Sequence, residues 1–309
     1  MLVDSHAHID TSRFDADREA VIAAAFAGGV TRIVDPGCDL ASSQFALSLA
    51  KAHPGVIFAG VGTHPHDATT YSDQVGEQYR EMAREPEVVA IGEFGLDYFR
   101  MLSPREVQRA VFCAHLQLAR ECNLPCIIHV RDAHVDVIEL LRVHGKGLRG
   151  VFHCFSGNVA QAKECLSFEE FMISFAGTLT RQGNALPEVA RMVPLDRVLV
   201  ETDSPYLVPQ GAIFLNLPTG RTTNGRRPER RQIDNEAGAS TAAQSVNLQG
   251  VRFAQPVGKE YNRAPTRGRN EPLFVKYVAE KLAEIRGMTL EEIAQVTTAN
   301  AVRLFSLGA

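Results

Sequence analysis

Eight short apolar runs, each followed by a stretch with helical periodicity, limit what this chain can fold into more than any other feature. The runs are LVDSHA near residue 2, RIVDPG at 32, VIFAGVG at 56, VVAIGEFG at 88, PCIIHV at 125, GVFHCF at 150, FMISFAG at 171 and VLVETD at 198. Between them lie amphipathic stretches such as DREAVIAAAFAGG (17–29) and VQRAVFCAHLQLARECN (107–123), which end on the turn-formers Gly29 and Asn123. Near-continuous apolar strands alternating with helices imply a parallel sheet covered by helices. Eight repeats of that unit point to an α/β fold, a (β/α)₈ TIM-like barrel. A doubly wound open sheet is the alternative. At 309 residues, 45% hydrophobic and 22% charged, the chain suits one such barrel, so a single domain over 1–309 is expected.

The polar residues fall at the ends of the runs. His6 and His8 follow the first, His64 and His66 the third, and Glu93 ends the fourth; His129 ends the fifth, His153 sits in the sixth and Asp203 closes the eighth. On a strand, residues two apart share a face, so His6 and His8 present a pair of imidazoles together. A lone H-x-H is also what a polar surface pair looks like, and the two readings separate on whether other ligands converge. In a barrel they do, because the C-terminal strand ends surround one funnel. Six of the ten histidines lie at these ends, where an acid or imidazole closing an apolar strand costs desolvation unless something pairs it. His53 and His144 sit near helix C-termini, His115 lies on a helix face and His134 starts a helix; these four need no site.

Composition narrows the partners. The formal net charge is −4, so the chain as a whole has no basic character that announces nucleic acid. Six cysteines (38, 113, 122, 126, 154 and 165) show no C-x-x-C and fit reduced thiols. No leader-like stretch or apolar run of membrane length is present, which makes the cytoplasm the expected compartment, with no membrane and no obligate protein partner.

The motifs DSHAHID, GTHPH, GEFGLDY, IIHVRDA, FHCFSG, ETDSPYL and RGRNEP follow one another in this order. Together they closely resemble the successive motifs of the TatD family of metal-dependent deoxyribonucleases. The late stretch TTANAVRLFSL is similar to that family's C-terminal helix. The resemblance runs from residue 2 to about 209 and resumes at about 267.

The resemblance implies two divalent cations (Mg, Mn or Zn) on an amidohydrolase-type barrel. His6, His8 and Asp203 look like ligands of one cation. Glu93 looks like the bridging carboxylate, with His129 and His153 on the second cation. Imidazole and carboxylate ligands suit such ions, and a carboxylate with two oxygens can hold two of them close together. Asp203 and Glu93 are then the catalytic carboxylates, Asp203 taking the proton of the attacking water. Taken alone, Asp203 also fits a helix N-cap. His64 and His66 are expected to face substrate phosphate. Arg131 is either a third phosphate contact or a salt-bridge partner of Asp132. Glu201 and Asp97 suit orienting roles behind the ligands. Gly92 and Gly95, around Glu93, are expected to permit close backbone packing rather than to cradle phosphate.

The activity implied is hydrolysis of DNA phosphodiesters, 3′-5′ exonuclease-like. Hydrolysis of an amide, lactone or aminoacyl ester is the alternative, because barrels of this kind support many chemistries. Residues 210–266 depart from the family pattern. They hold eight Lys/Arg against four Asp/Glu, so they are +4 and leave −8 on the rest of the chain. Sparse apolar residues without periodicity mark them as an inserted loop after the last strand, either passive or a basic flap that attracts DNA.

Overall fold

The computed structural model describes residues 1–210, 212 and 268–308. Most of the expected insertion, 210–266, lies outside the described residues. The chain alternates strand and helix: β1 (Leu2–Asp4), α1 (Arg18–Ala27), β2 (Val30–Pro36), α2 (Leu40–Ala52), β3 (Ile57–Val61), α3 (Asp73–Met82), β4 (Val88–Asp97) and α4 (Arg105–Cys122). It continues with β5 (Cys126–Arg131), α5 (His134–His144), β6 (Gly150–Phe152), α6 (Val159–Leu166), β7 (Phe171–Phe175), α7 (Leu186–Met192), β8 (Val198–Val200), α8 (Val275–Arg286) and α9 (Leu290–Phe305). All eight apolar runs form strands, and each pairs in parallel with the next, in the order β1 to β8.

The ring closes where an open sheet would have two distant edges. The Ser5 N–H donates to the Val200 carbonyl (3.2 Å), the Asp203 N–H to the His6 carbonyl (2.9 Å) and the His8 N–H to the Ser204 carbonyl (2.8 Å). These bonds join the end of β1 to the end of β8 and exclude the doubly wound alternative. The architecture is the eight-stranded barrel.

Strand pleating divides the core in two. Val3, Val34, Phe58, Val89, Ile127, Val151, Met172 and Leu199 form one buried cluster with Ala301, Leu304, Phe305 and Leu307. Their strand neighbours, such as Ile33, Ile57, Ile128 and Ile173, pack in the other cluster, with residues of the surrounding helices. The first set fills the barrel, and the end of α9 stoppers it. The Thr298 hydroxyl donates to the Met1 carbonyl, so α9 lies across the N-terminal strand ends. The opposite end remains for the polar residues.

Local signals set the helix limits. Asp39 and Ser42 form a reciprocal cap on α2, as do Asn158 and Gln161 on α6 and Thr289 and Glu292 on α9. Asn123 ends α4 in the left-handed conformation (φ 52°), as its place in the sequence suggests. No helix among the described residues is long and apolar enough to cross a membrane.

Candidate metal centre

His6 and His8 leave the end of β1 with their Nε2 atoms 3.1 Å apart. Both are buried. Glu93 reaches them from β4, its Oε2 3.4 Å from His6 Nε2 and 3.3 Å from His8 Nε2. Asp203, three residues past β8, brings Oδ1 to 3.8 and 3.6 Å from the same nitrogens. The other Glu93 oxygen, Oε1, faces a second set: His153 Nε2 at 2.7 Å, His129 Nδ1 at 2.8 Å and His64 Nε2 at 3.5 Å. Glu93 thus sits between two groups of imidazoles with one oxygen turned to each. It does not end its strand as the sequence suggests, because β4 runs on to Asp97. At this end of β4, a Cβ on Gly95 would collide with the His129 carbonyl, and one on Gly92 would lie 2.7 Å from Ile127 Cβ. The two glycines let β4 and β5 approach closely, as expected.

The groups behind the imidazoles fix which nitrogen faces inward. His8 Nδ1 lies 3.1 Å from the Pro36 carbonyl, which only accepts, so Nδ1 carries the proton and Nε2 turns a lone pair to the cluster. Glu201 Oε1 lies 3.4 Å from His153 Nδ1, and Asp97 Oδ2 lies 3.6 Å from His129 Nε2. These carboxylates favour the proton on the outer nitrogen and the lone pair inside. His64 is different. Its Nδ1 accepts the His66 N–H at 3.1 Å, so in the neutral ring Nε2 bears the hydrogen and points it at Glu93. His66 Nε2 lies 2.7 Å from Asp97 Oδ2. Arg131 lies over the Phe99 ring, its guanidinium carbon 3.9 Å from the centroid.

The electrostatics follow from crowding charge in a buried space. Burial alone would raise the Glu93 carboxyl, but the facing His153, His64 and His129 outweigh it and hold Glu93 well below the ordinary range. Burial also opposes a charged His153, yet Glu93 and Glu201 outweigh it and raise that imidazole to about 10. His6, stacked 4.0 Å from His153, is lowered to about 4, first by burial and then by the charge on its neighbour. Asp203 rises to about 7, chiefly through burial. The carboxylates demand positive charge, which a proton on His153 supplies in part. Converging lone pairs and excess carboxylate are a donor set that fits divalent cations.

Two carboxylates near His8 were not singled out from the sequence. Asp35, fully buried on β2, and Asp10 lie with a His8 ring nitrogen inside a 4.8 Å cluster. Burial, then the neighbouring Asp10, raises Asp35 well above an ordinary aspartate. The run RIVDPG carried the signal, an acid inside an apolar strand. Cys38 was also missed, with Sγ 3.8 Å from His8 Nδ1. His134, by contrast, stays out of the cluster, paired with Glu164 at 2.8 Å.

The family model for TatD related DNase matches residues 3–306. The uncharacterized metal-dependent hydrolase YabD of Bacillus subtilis is 36% identical over 310 residues, covering 99% of this chain and 100% of the relative. The 3′-5′ ssDNA/RNA exonuclease TatD of Erwinia tasmaniensis is 33% identical over 309 residues, with the same coverage. Among solved structures, YjjV, a TatD homolog from Escherichia coli, superposes with a TM-score of 0.76 at 27% identity over 99% of this chain and 98% of that one. The strand-end histidines, the carboxylate between them and this match over nearly the whole length agree: the chain belongs to the TatD related DNase family, a family of metal-dependent hydrolases.

Proposed function

We propose that the cluster holds two divalent cations and hydrolyses phosphodiester bonds of single-stranded DNA from the 3′ end. The observation that carries this reading is the division of the ligands by Glu93, with Oε2 toward His6, His8 and Asp203 and Oε1 toward His129 and His153. In this reading those six side chains are the ligands and Glu93 is the bridge. Bound cations would polarise a phosphoryl oxygen and lower the pKa of a water molecule.

The remaining steps belong to the side chains. Asp203 takes the proton of the attacking water, a role open to a largely buried carboxylate beside the His6 and His8 nitrogens. His64 offers its Nε2–H to a non-bridging phosphate oxygen instead of serving as a ligand, because its Nδ1 is occupied by the His66 N–H. Asp97 holds both His66 and His129 in place. Arg131 supplies charge to the phosphate chain. The choice of substrate and polarity draws on the name of the Erwinia relative. One domain carries all of this, since β1 and β8 close a single ring. The six cysteines are all unpaired, which suits a reducing compartment such as the cytoplasm.

The test is a metal-depleted sample given single-stranded DNA labelled at either end, with Mg, Mn and Zn restored in turn. Restored cleavage that shortens strands from the 3′ end is expected. Cleavage that persists after depletion, or hydrolysis of amide and lactone substrates alone, would overturn the reading.

A further inference from the structure

The segment after β4 spends exposed apolar surface where a soluble chain gains nothing from it. Phe99 is 59% exposed, Met101 45% and Leu102 55%, three of the six large exposed hydrophobics among the described residues. The segment is not slack. The N–H groups of Phe99 and Arg100 both donate to Asp97 Oδ1, at 2.9 and 2.7 Å. The Ser103 hydroxyl donates to the His66 carbonyl at 3.0 Å, and the Gln108 amide ties the Asp97 and Ser103 carbonyls together at 3.2 and 2.8 Å. A rigid loop thus holds an aromatic ring in water, two residues from Asp97, which touches His66 and His129.

The ring is also half covered in a particular way. The Arg131 guanidinium lies over the ring, 3.9 Å from the centroid, and Phe99 remains 59% exposed with that cation in place. Arg131 stands two residues past His129, so ring and cation share the rim of the metal cluster. Residues 98–105 carry Arg100 and Arg105 and no acid. The neighbouring Tyr98 is not available in the same way, since Arg105 covers it at 3.9 Å and its hydroxyl donates to Asp136. An open aromatic face backed by a guanidinium, in a cationic loop beside a site for phosphodiesters, matches what binds unpaired bases.

We infer that the free face of Phe99 is a stacking platform for an unpaired nucleobase of the substrate strand, with Arg131 sandwiching the ring from behind. This rests on reading the cluster as a nuclease site, and it adds a subsite that recognises the base rather than the phosphate. Stacking of this kind tolerates any base, so it favours single strands over duplexes without reading sequence.

The chain contains no tryptophan, so Phe99→Trp introduces a single indole at the platform. The metal-loaded variant is titrated with a single-stranded phosphorothioate decamer, which resists cleavage. Saturable quenching of the indole is expected, and a base-free deoxyribose-phosphate chain of equal length should produce none. In parallel, Phe99→Ala should reduce the preference for base-bearing over base-free strands, measured as KM, about ten-fold, and Phe99→Tyr should restore it. Equal quenching by both chains, or an unaltered preference in Phe99→Ala, overturns the platform. A blue shift that grows with protein concentration alone would mark the patch as a contact between copies and overturn it too. If wild-type protein fails to cleave DNA while the indole is still quenched by bases, the nuclease reading falls and the platform stands.

Discussion

The Nε2 atoms of His6 and His8 lie 3.1 Å apart, a separation at which the two nitrogens cannot both carry a hydrogen. The Pro36 carbonyl has already drawn the His8 proton to Nδ1. The fold therefore aims the His8 lone pair at a point beside Glu93 Oε2 and Asp203 Oδ1, and His6 Nε2 faces the same point. Backbone bonds between β1 and β8 hold this arrangement, and it is ready for a cation without rearrangement of the chain.

Glu93→Gln tests the bridge. A neutral amide presents one good acceptor where the carboxylate presents two, so one of the two groups of imidazoles loses its oxygen. Metal content, measured by elemental analysis after dialysis, should fall to half that of wild type or less if two cations are bound as proposed. Hydrolysis should drop by about 10²-fold or more. Full metal content in this variant would remove Glu93 from the bridging role.

Asp203 links metal binding to pH. Burial raises its carboxyl to about 7, with His153 and His8 offsetting part of the effect. Below that value the carboxyl holds a proton that a cation must displace. The proton on His153, held up to about 10, competes as well, so apparent metal affinity should weaken about ten-fold per pH unit between 8 and 7 and more steeply below 7, where Asp203 adds a second proton. Asp203→Asn has no such proton, so its affinity should lack the break near 7, and its activity should fall about 10²-fold. Calorimetric titrations at pH 6, 7 and 8 on both proteins would show it.

Much of this was legible in the residues. Eight apolar runs became eight strands because a strand buried on both faces must be nearly continuous in apolar residues, and that pattern survives without neighbours. The strand-end histidines converged because barrel geometry brings together whatever ends the strands. Asp35 escaped notice because it lies inside a run instead of closing it, and only the pleat decides which neighbours it meets. The resemblance already set His64 apart from the ligand imidazoles, but the tautomer that would do so was invisible. It depends on one backbone N–H, that of His66, turning inward at the first residues of a short helix after β3. Spacing cannot report such a bond.

His64→Ala separates donor from ligand. If the ring offers an Nε2–H to the phosphate, its loss should lower kcat about 10²-fold, as removal of a charge-stabilising donor does elsewhere. Metal content should stay at the wild-type level. A loss of bound metal comparable to that of Glu93→Gln would make His64 a ligand and overturn the tautomer argument.

His115 should weaken the fold in acid, away from the metal cluster. It is fully buried in α4, with Nε2 accepting the Thr63 N–H at 3.0 Å and Nδ1 2.9 Å from the Val111 carbonyl. Both nitrogens are thus committed to the neutral ring, and burial lowers its pKa from 6.5 to about 4. In the unfolded chain the ring protonates near 6.5, while the folded chain refuses the proton until about 4. Above 6.5 the group is neutral in both states and adds no pH dependence. Between 6.5 and 4 the unfolded state gains a proton that the folded state does not, so stability falls with acid by about 1.4 kcal/mol per pH unit, about 3 kcal/mol in all. Below 4 both states are protonated and the loss levels off. His115→Gln keeps an acceptor for Thr63 and cannot titrate. The variant should be less stable than wild type at pH 7, where the imidazole packs better, and the gap should close or reverse by pH 4. Urea unfolding of both proteins at the two pH values measures that difference, and other titrating groups cancel because both chains share them. A gap of constant size would show that His115 gives up its burial when protonated and has no part in acid sensitivity.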